Sequence, residues 1–112
     1  MPTELHRVKA DLFRALAHPL RIRVLELLAE RERTVQELQE ALSLDQPAVS
    51  QHLAALRARD LVTARKEGTL AYYSVRSPLL ADLLRVARDF LNQRLTEDQS
   101  MLRQLRREGR RS

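Results

Sequence analysis

Gln46-Pro47-Ala48-Val49-Ser50-Gln51-His52-Leu53-Ala54-Ala55-Leu56-Arg57 is the stretch on which the fold turns. With Val49 at zero on a helical wheel, Leu53 and Leu56 fall within about 40° of it and form one buried stripe. The opposite side holds Pro47, Ala48, Gln51, Ala54, Ala55 and Ala58. Asp45 is placed to cap this helix, with Pro47 in its first turn, and the helix is expected to end near Arg59. An alanine surface lets a helix lie close against another body, because long side chains would hold it away. Gln51 stands at the centre of that surface, and a carboxamide there can pair with both N6 and N7 of adenine in a DNA major groove. Gln46, Ala48, Ser50 and His52 surround it, and Arg57 lies farther along the edge where phosphates pass. These residues are the expected DNA-contacting set of the helix.

Upstream, Thr34-Val35-Gln36-Glu37 is a capping box opening a short helix that ends near Leu42. Only Ser43 and Leu44 separate it from the cap Asp45, so the pair reads as a tight helix-turn-helix. Downstream the hydrophobic period changes. Residues 61–66 and 69–75 are β-rich runs around Glu67-Gly68, which reads as a hairpin turn. Arg65 and Lys66 lie beside that turn and are expected to reach the minor groove or its phosphates.

Farther out, Thr3 can cap a first helix to about Ala17, and His18-Pro19 restarts the chain with proline at a first helical position. The second helix, to about Arg31, is apolar around much of its circumference and is expected to be buried and central. Ser77-Pro78 opens a last helix carrying Leu79, Leu80, Leu83, Leu84, Val86, Ala87, Phe90, Leu91 and Leu95. The polar residues 96–100 interrupt this stripe before Met101, Leu102 and Leu105, and the sequence leaves open whether the helix is continuous there. The expected fold class is mainly α with a small β-hairpin wing: a single winged helix-turn-helix domain over residues 1–112, ordered α-α-α-α-β-β-α. The last helix has a leucine face too broad for one small core. Residues 1–17 and 77–107 are therefore expected to be dimerisation helices, with Leu5, Leu12, Leu80, Leu84, Ala87 and Leu91 at the interface and 108–112 as a basic tail.

The composition agrees. Lys and Arg number 20 against 15 Asp and Glu, a net charge of +5 that favours a polyanionic partner. Eighteen of the basic residues are Arg, a bias that reads mostly as genome composition. No apolar run approaches the roughly 18 residues of a membrane span, so no membrane partner is expected. The absence of cysteine excludes disulfides and thiolate metal sites, and it suits the cytosol.

Three segments resemble the arsenic-repressor (ArsR-type) family of dimeric bacterial winged-helix repressors. They are Ala15 through Leu25 with its Ala17-His18-Pro19-Leu20-Arg21 junction, the helix from Gln46 to Arg57, and Arg65-Lys66-Glu67-Gly68 through Tyr72-Tyr73. The resemblance implies a transcriptional repressor that binds an operator as a dimer and releases it on a signal. Metal-sensing members carry a Cys-Val-Cys pattern where this chain has Thr34, Val35 and Gln36, and others use Asp-x-His on the last helix where this chain has Asp82-x-Leu84. No metal site and no cofactor are therefore expected, and the effector is left unknown. Asp60 stands where the family usually ends the recognition helix with Gly, at a cost of about 1 kcal/mol.

His18 is expected to cap the second helix, and His52 to pack or to meet phosphate. His6 admits a second reading, a non-standard His/carboxylate metal site shared with Glu97 or Asp98 of a partner. Arg21 and Arg23 oppose the dipole at the start of the second helix, a misfit that a phosphate or a neighbouring acid would relieve. No Gly-rich phosphate loop, nucleophile motif or His/acid cluster supports an enzyme. The competing class is a winged-helix protein-interaction module, which would need an apolar rather than an alanine surface on the third or fourth helix.

Overall fold

The computed structural model describes residues 1–111. Ser112 and the side chains of Arg110 and Arg111, part of the expected basic tail, lie outside the described residues. Five helices and three strands follow in the order α1 (Glu4–Leu16), α2 (Pro19–Glu30), β1 (Arg33–Thr34), α3 (Val35–Leu42), α4 (Gln46–Ala58), β2 (Val62–Glu67), β3 (Leu70–Val75) and α5 (Pro78–Arg111). This is the winged helix-turn-helix order, with one strand added. By contact the chain divides into two units, one from Met1 to Ala81 and one from Asp82 onward.

Each helix start in the first unit has a local cause. Thr3 accepts from the His6 amide while His6 Nδ1 accepts from the Thr3 amide, so a histidine completes the box on α1. His18 Nδ1 accepts from the Leu20 amide at 3.1 Å and caps α2, as expected. Thr34 and Glu37 exchange both capping-box bonds at the start of α3, each 3.2 Å long. Asp45 accepts from Ala48 and caps α4. Ser43 and Asp60 take left-handed backbone angles, φ 55° and 58°, and end α3 and follow α4 respectively. Asp60 thus does the work that glycine performs at little cost.

The core of this unit is built where the wheel placed it. Val24, Leu25, Leu27 and Leu28 of α2 are buried together with Leu38, Val49, Leu53, Leu56, Leu61 and Val62. Burial of such side chains contributes about 1.5–3 kcal/mol each. β2 and β3 pair antiparallel from Val62↔Val75 to Glu67↔Leu70, so the two-residue turn is Gly68-Thr69, one position later than the sequence suggested. Gly68 has φ +63° at the first turn position, where a tight hairpin needs glycine. The short strand β1 was not anticipated. Arg33 and Thr34 pair with Tyr73 and Tyr72, giving the sheet order β1-β3-β2 and tying the start of α3 to the wing.

The second unit is the remainder of α5, which is continuous through residues 96–100. Thr96 returns its hydroxyl to the Asn92 carbonyl at 2.9 Å, and Gln93 reaches Glu97 one turn on, so the polar stretch stays helical. Residues 108–111 of the expected tail are helical too. No helix among the described residues is long and apolar enough to cross a membrane.

Candidate nucleic-acid interface

The face of α4 turned away from the core is exposed and carries mostly small side chains. Val49, Leu53 and Leu56 are at most 2% exposed, whereas Gln46, Pro47, Gln51, Ala54 and Ala58 are exposed. Ala48, Ser50 and Ala55 lie half-buried on the flanks, and Arg57 is exposed in the last turn. Gln51 is the long polar side chain at the middle of this surface. On the wing-side flank, Ser50, Ala54, Arg57 and Ala58 line a shallow cleft closed by Tyr73 of β3. The helix and the wing therefore border one shallow cleft.

On the wing the two cations differ. Arg65 is held by carboxylates: its Nε donates to Glu32 at 3.0 Å, a second nitrogen also donates to Glu32, and Nη1 donates to Glu67 at 2.7 Å. Its guanidinium lies 4.7 Å from the Tyr72 ring centroid, directly across the β2–β3 ladder. These bonds raise its proton affinity further and hold the Glu32 carboxyl below its usual range, the hydrogen bond from Arg65 being the main cause. Lys66 is exposed and makes no ion pair among the described residues. Glu32 and Tyr72 thus belong to the wing's machinery and were not singled out in the sequence. The Tyr72 contact follows from the hairpin register, but no local signal points to Glu32, which is 33 residues from Arg65.

His52 turns inward. It is half-buried with its ring edge-on to His18 at 4.6 Å between centroids, and its Nδ1 is buried without a hydrogen-bond partner. Burial, then the nearby His18 and Arg21, push its proton affinity below the ordinary histidine value. The ring thus packs edge-on to His18 at the junction of α2 and α4 and does not stand on the exposed face of α4.

Of the residues assigned to the dimer interface, Leu5 and Leu91 are 60% and 53% exposed, Ala87 is exposed, and Leu12 and Leu84 are half-buried. Leu80 is a correction: at 8% exposure it already belongs to the core of its own protomer. The alternative metal site also changes, because His6 Nδ1 is occupied by the Thr3 cap. Among the described residues no group of three His, Asp or Glu side chains is gathered within one chain.

The pattern that defines the bacterial regulatory proteins of the arsR family matches residues 18–64, from the cap of α2 into β2. The HTH-type transcriptional regulator Rv0081 of Mycobacterium tuberculosis is 43% identical over 106 residues, 94% of this chain and 93% of the relative. The chain belongs to the arsR family. The crystal structure of M. tuberculosis Rv0081 matches with a TM-score of 0.80, covering 86% of this arsR-family chain and 97% of that one. A solution structure of a homodimeric winged helix-turn-helix DNA-binding domain, Mb0332 of Mycobacterium bovis, matches at 32% identity with a TM-score of 0.77, covering 83% and 86%. A probable mercury resistance operon repressor of Streptomyces lividans is 43% identical over 79 residues, 70% of this chain and 63% of that protein. As an arsR-family member, this chain is a winged-helix DNA-binding regulator of transcription, and its relatives are regulators, not enzymes.

Proposed function

We propose that the protein is a sequence-specific repressor that binds an inverted-repeat operator in double-stranded DNA as a homodimer. The observation that carries this reading is the outer face of α4, where Gln51 is exposed on the same helix as Ala48, Ala54, Ala55 and Ala58. Gln46, Ala48, Ser50 and Gln51 enter the major groove, Arg57 and Lys66 meet the backbone, and Arg65 sets the wing that carries Lys66. His52 supports α4 from behind. The names of the relatives support repression and dimerisation, one being called a repressor and another homodimeric.

Leu5, Leu12, Leu84, Ala87 and Leu91, on the first and last helices, supply the interface of the dimer in this reading. Release does not run through cysteine, since the chain has none, nor through the family's metal positions, where Thr34 and Gln36 offer no soft ligand. Footprinting on the DNA upstream of the protein's own gene tests the proposal. The expected result is protection of two half-sites about 34–36 Å apart. Protection of a single half-site, or equal coverage of all sequences, would contradict it.

A further inference from the structure

Arg21 stands at the first turn of α2, the positive end of a helix that has no acidic residue there. Its neighbour Arg23 finds Glu26 at 3.9 Å, but Arg21 makes no ion pair among the described residues. Its Nε is buried and has no hydrogen-bond partner. A guanidinium carries five donors and cannot shed its charge, so burying even one of them without an acceptor is costly. The charge opposes the helix dipole, and no acid among the described residues pairs with it.

Arg21 opens onto a depression of about 430 Å³ lined also by Arg14, Ala15, Ala55, Ala58 and Arg59. Asp11 is the carboxylate paired with these cations, at 2.8 Å from Arg14 and 3.7 Å from Arg59. One acid therefore serves two guanidiniums and the third is unmatched. Ala55 and Ala58 form a low floor that leaves room for a ligand against α4. The lowered proton affinity of His52, due to burial and then to His18 and Arg21, is consistent with an excess of positive field at this junction.

We infer that Arg14, Arg21 and Arg59 form a phosphate-binding pocket between the α1–α2 junction and the last turns of α4. A tetrahedral phosphate offers enough acceptor oxygens to satisfy forks arriving from three directions, whereas a carboxylate offers two. Two sources carry this chemistry. Ala58 lies at the edge of the groove-facing surface, so a backbone phosphate of the operator can reach the pocket; a free phosphate anion can occupy it equally. Only the first source depends on the DNA contact proposed above.

The test uses the full chain, Arg21→Gln and Arg59→Gln, with inorganic phosphate as probe and chloride at matched ionic strength as control. Arg59 is half exposed, so its variant keeps the fold if Arg21→Gln does not. Phosphate, and not chloride, is expected to shift the Ala55 and Ala58 amide resonances of the wild type, with the shifts lost in either variant. If the occupant is the operator backbone, each variant also lowers the slope of log affinity against log salt by about 0.9, equally on operator and scrambled duplex. If it is free phosphate, the slope is unchanged and the phosphate-specific shifts persist on DNA-bound protein. Identical responses to phosphate and chloride together with unchanged salt slopes would overturn the pocket. So would phosphate shifts that survive in both variants. Failure of the protein to bind any duplex would remove the operator source while leaving the phosphate titration decisive.

Discussion

Arg65 on the wing grips Glu32, in the turn after α2, with two of its nitrogens, the Nε bond being 3.0 Å long. The same guanidinium reaches Glu67 and lies over Tyr72, so beside the β1–β3 pairing it adds a second tie between the wing and the rest of the winged helix. A cation already matched by two carboxylates has little charge left for DNA. Arg65→Gln and Glu32→Gln are therefore expected to weaken operator and scrambled duplex alike, by loosening the wing, with the salt slope unchanged. Lys66→Ala is expected to lower that slope by about 0.9. Salt titrations of the three variants decide the matter: a drop in slope for Arg65→Gln, with Glu32→Gln silent, would return Arg65 to the phosphates. The tie is complete above the ordinary carboxylate range and is lost only as pH falls through the depressed Glu32 value, so it does not respond between pH 5 and 8.

His52 gives the fold a pH dependence of its own. Its proton affinity is lowered in the folded state by burial, then by His18 and Arg21, so the unfolded chain takes up this proton first as pH falls. Its contribution is full above the ordinary value of 6.5 and is lost as pH falls through the lower, folded value. Urea unfolding at pH 7.5 and 5.5 is expected to show a loss of stability on acidification that is smaller in His52→Gln. Equal losses in the two proteins would exclude His52 as the source.

Most of the architecture was legible because it rests on local chemistry. The Thr34/Glu37 box, the Asp45 cap, Pro19 and Pro78 at helix starts, and the Val49-Leu53-Leu56 stripe each act within one or two turns. What escaped depends on contacts distant in sequence. β1 exists because Arg33 and Thr34 meet Tyr73 and Tyr72 across the sheet, and two residues carry no periodicity. Placing the turn at Glu67-Gly68 instead of Gly68-Thr69 hid the pairing of Arg65 with Tyr72. The flank position of His52 allows packing or a phosphate contact, and only the distant His18 ring, which lies edge-on to it, favours packing. The groove-facing residues themselves were readable, since exposure on α4 follows from its buried stripe alone.

The dimer proposal has a direct check. Phe90, Leu91 and Leu95 on α5 and Leu5, Val8 and Phe13 on α1 are all more than half exposed in the single chain. Apolar surface of that extent on a small domain calls for a partner. Leu84→Glu combined with Leu91→Glu is expected to give a monomer that loses specific operator binding while keeping its helical content. A stable wild-type monomer in sedimentation at micromolar concentration would contradict the proposal.

Thr34 is committed to the α3 cap and is 8% exposed. Thr34→Ala is expected to cost about 1 kcal/mol in chemical unfolding, the loss typical of an N-cap. Zinc, nickel, cobalt or arsenite added to the protein–operator complex is expected to leave its affinity unchanged. Stoichiometric metal binding that releases DNA, and that His6→Ala abolishes, would restore the first-helix site.

In the proposed complex Gln51 reads bases while the cations around it hold the backbone. Affinities of the wild type and Gln51→Ala are determined for the footprinted operator and for a scrambled duplex at several salt concentrations. Loss of a bidentate amide–adenine pair is expected to weaken operator binding by about 1–3 kcal/mol per site and to leave scrambled DNA nearly unaffected, with the salt slope unchanged. If Gln51→Ala keeps the full ratio between operator and scrambled DNA, α4 does not face the groove through this side chain.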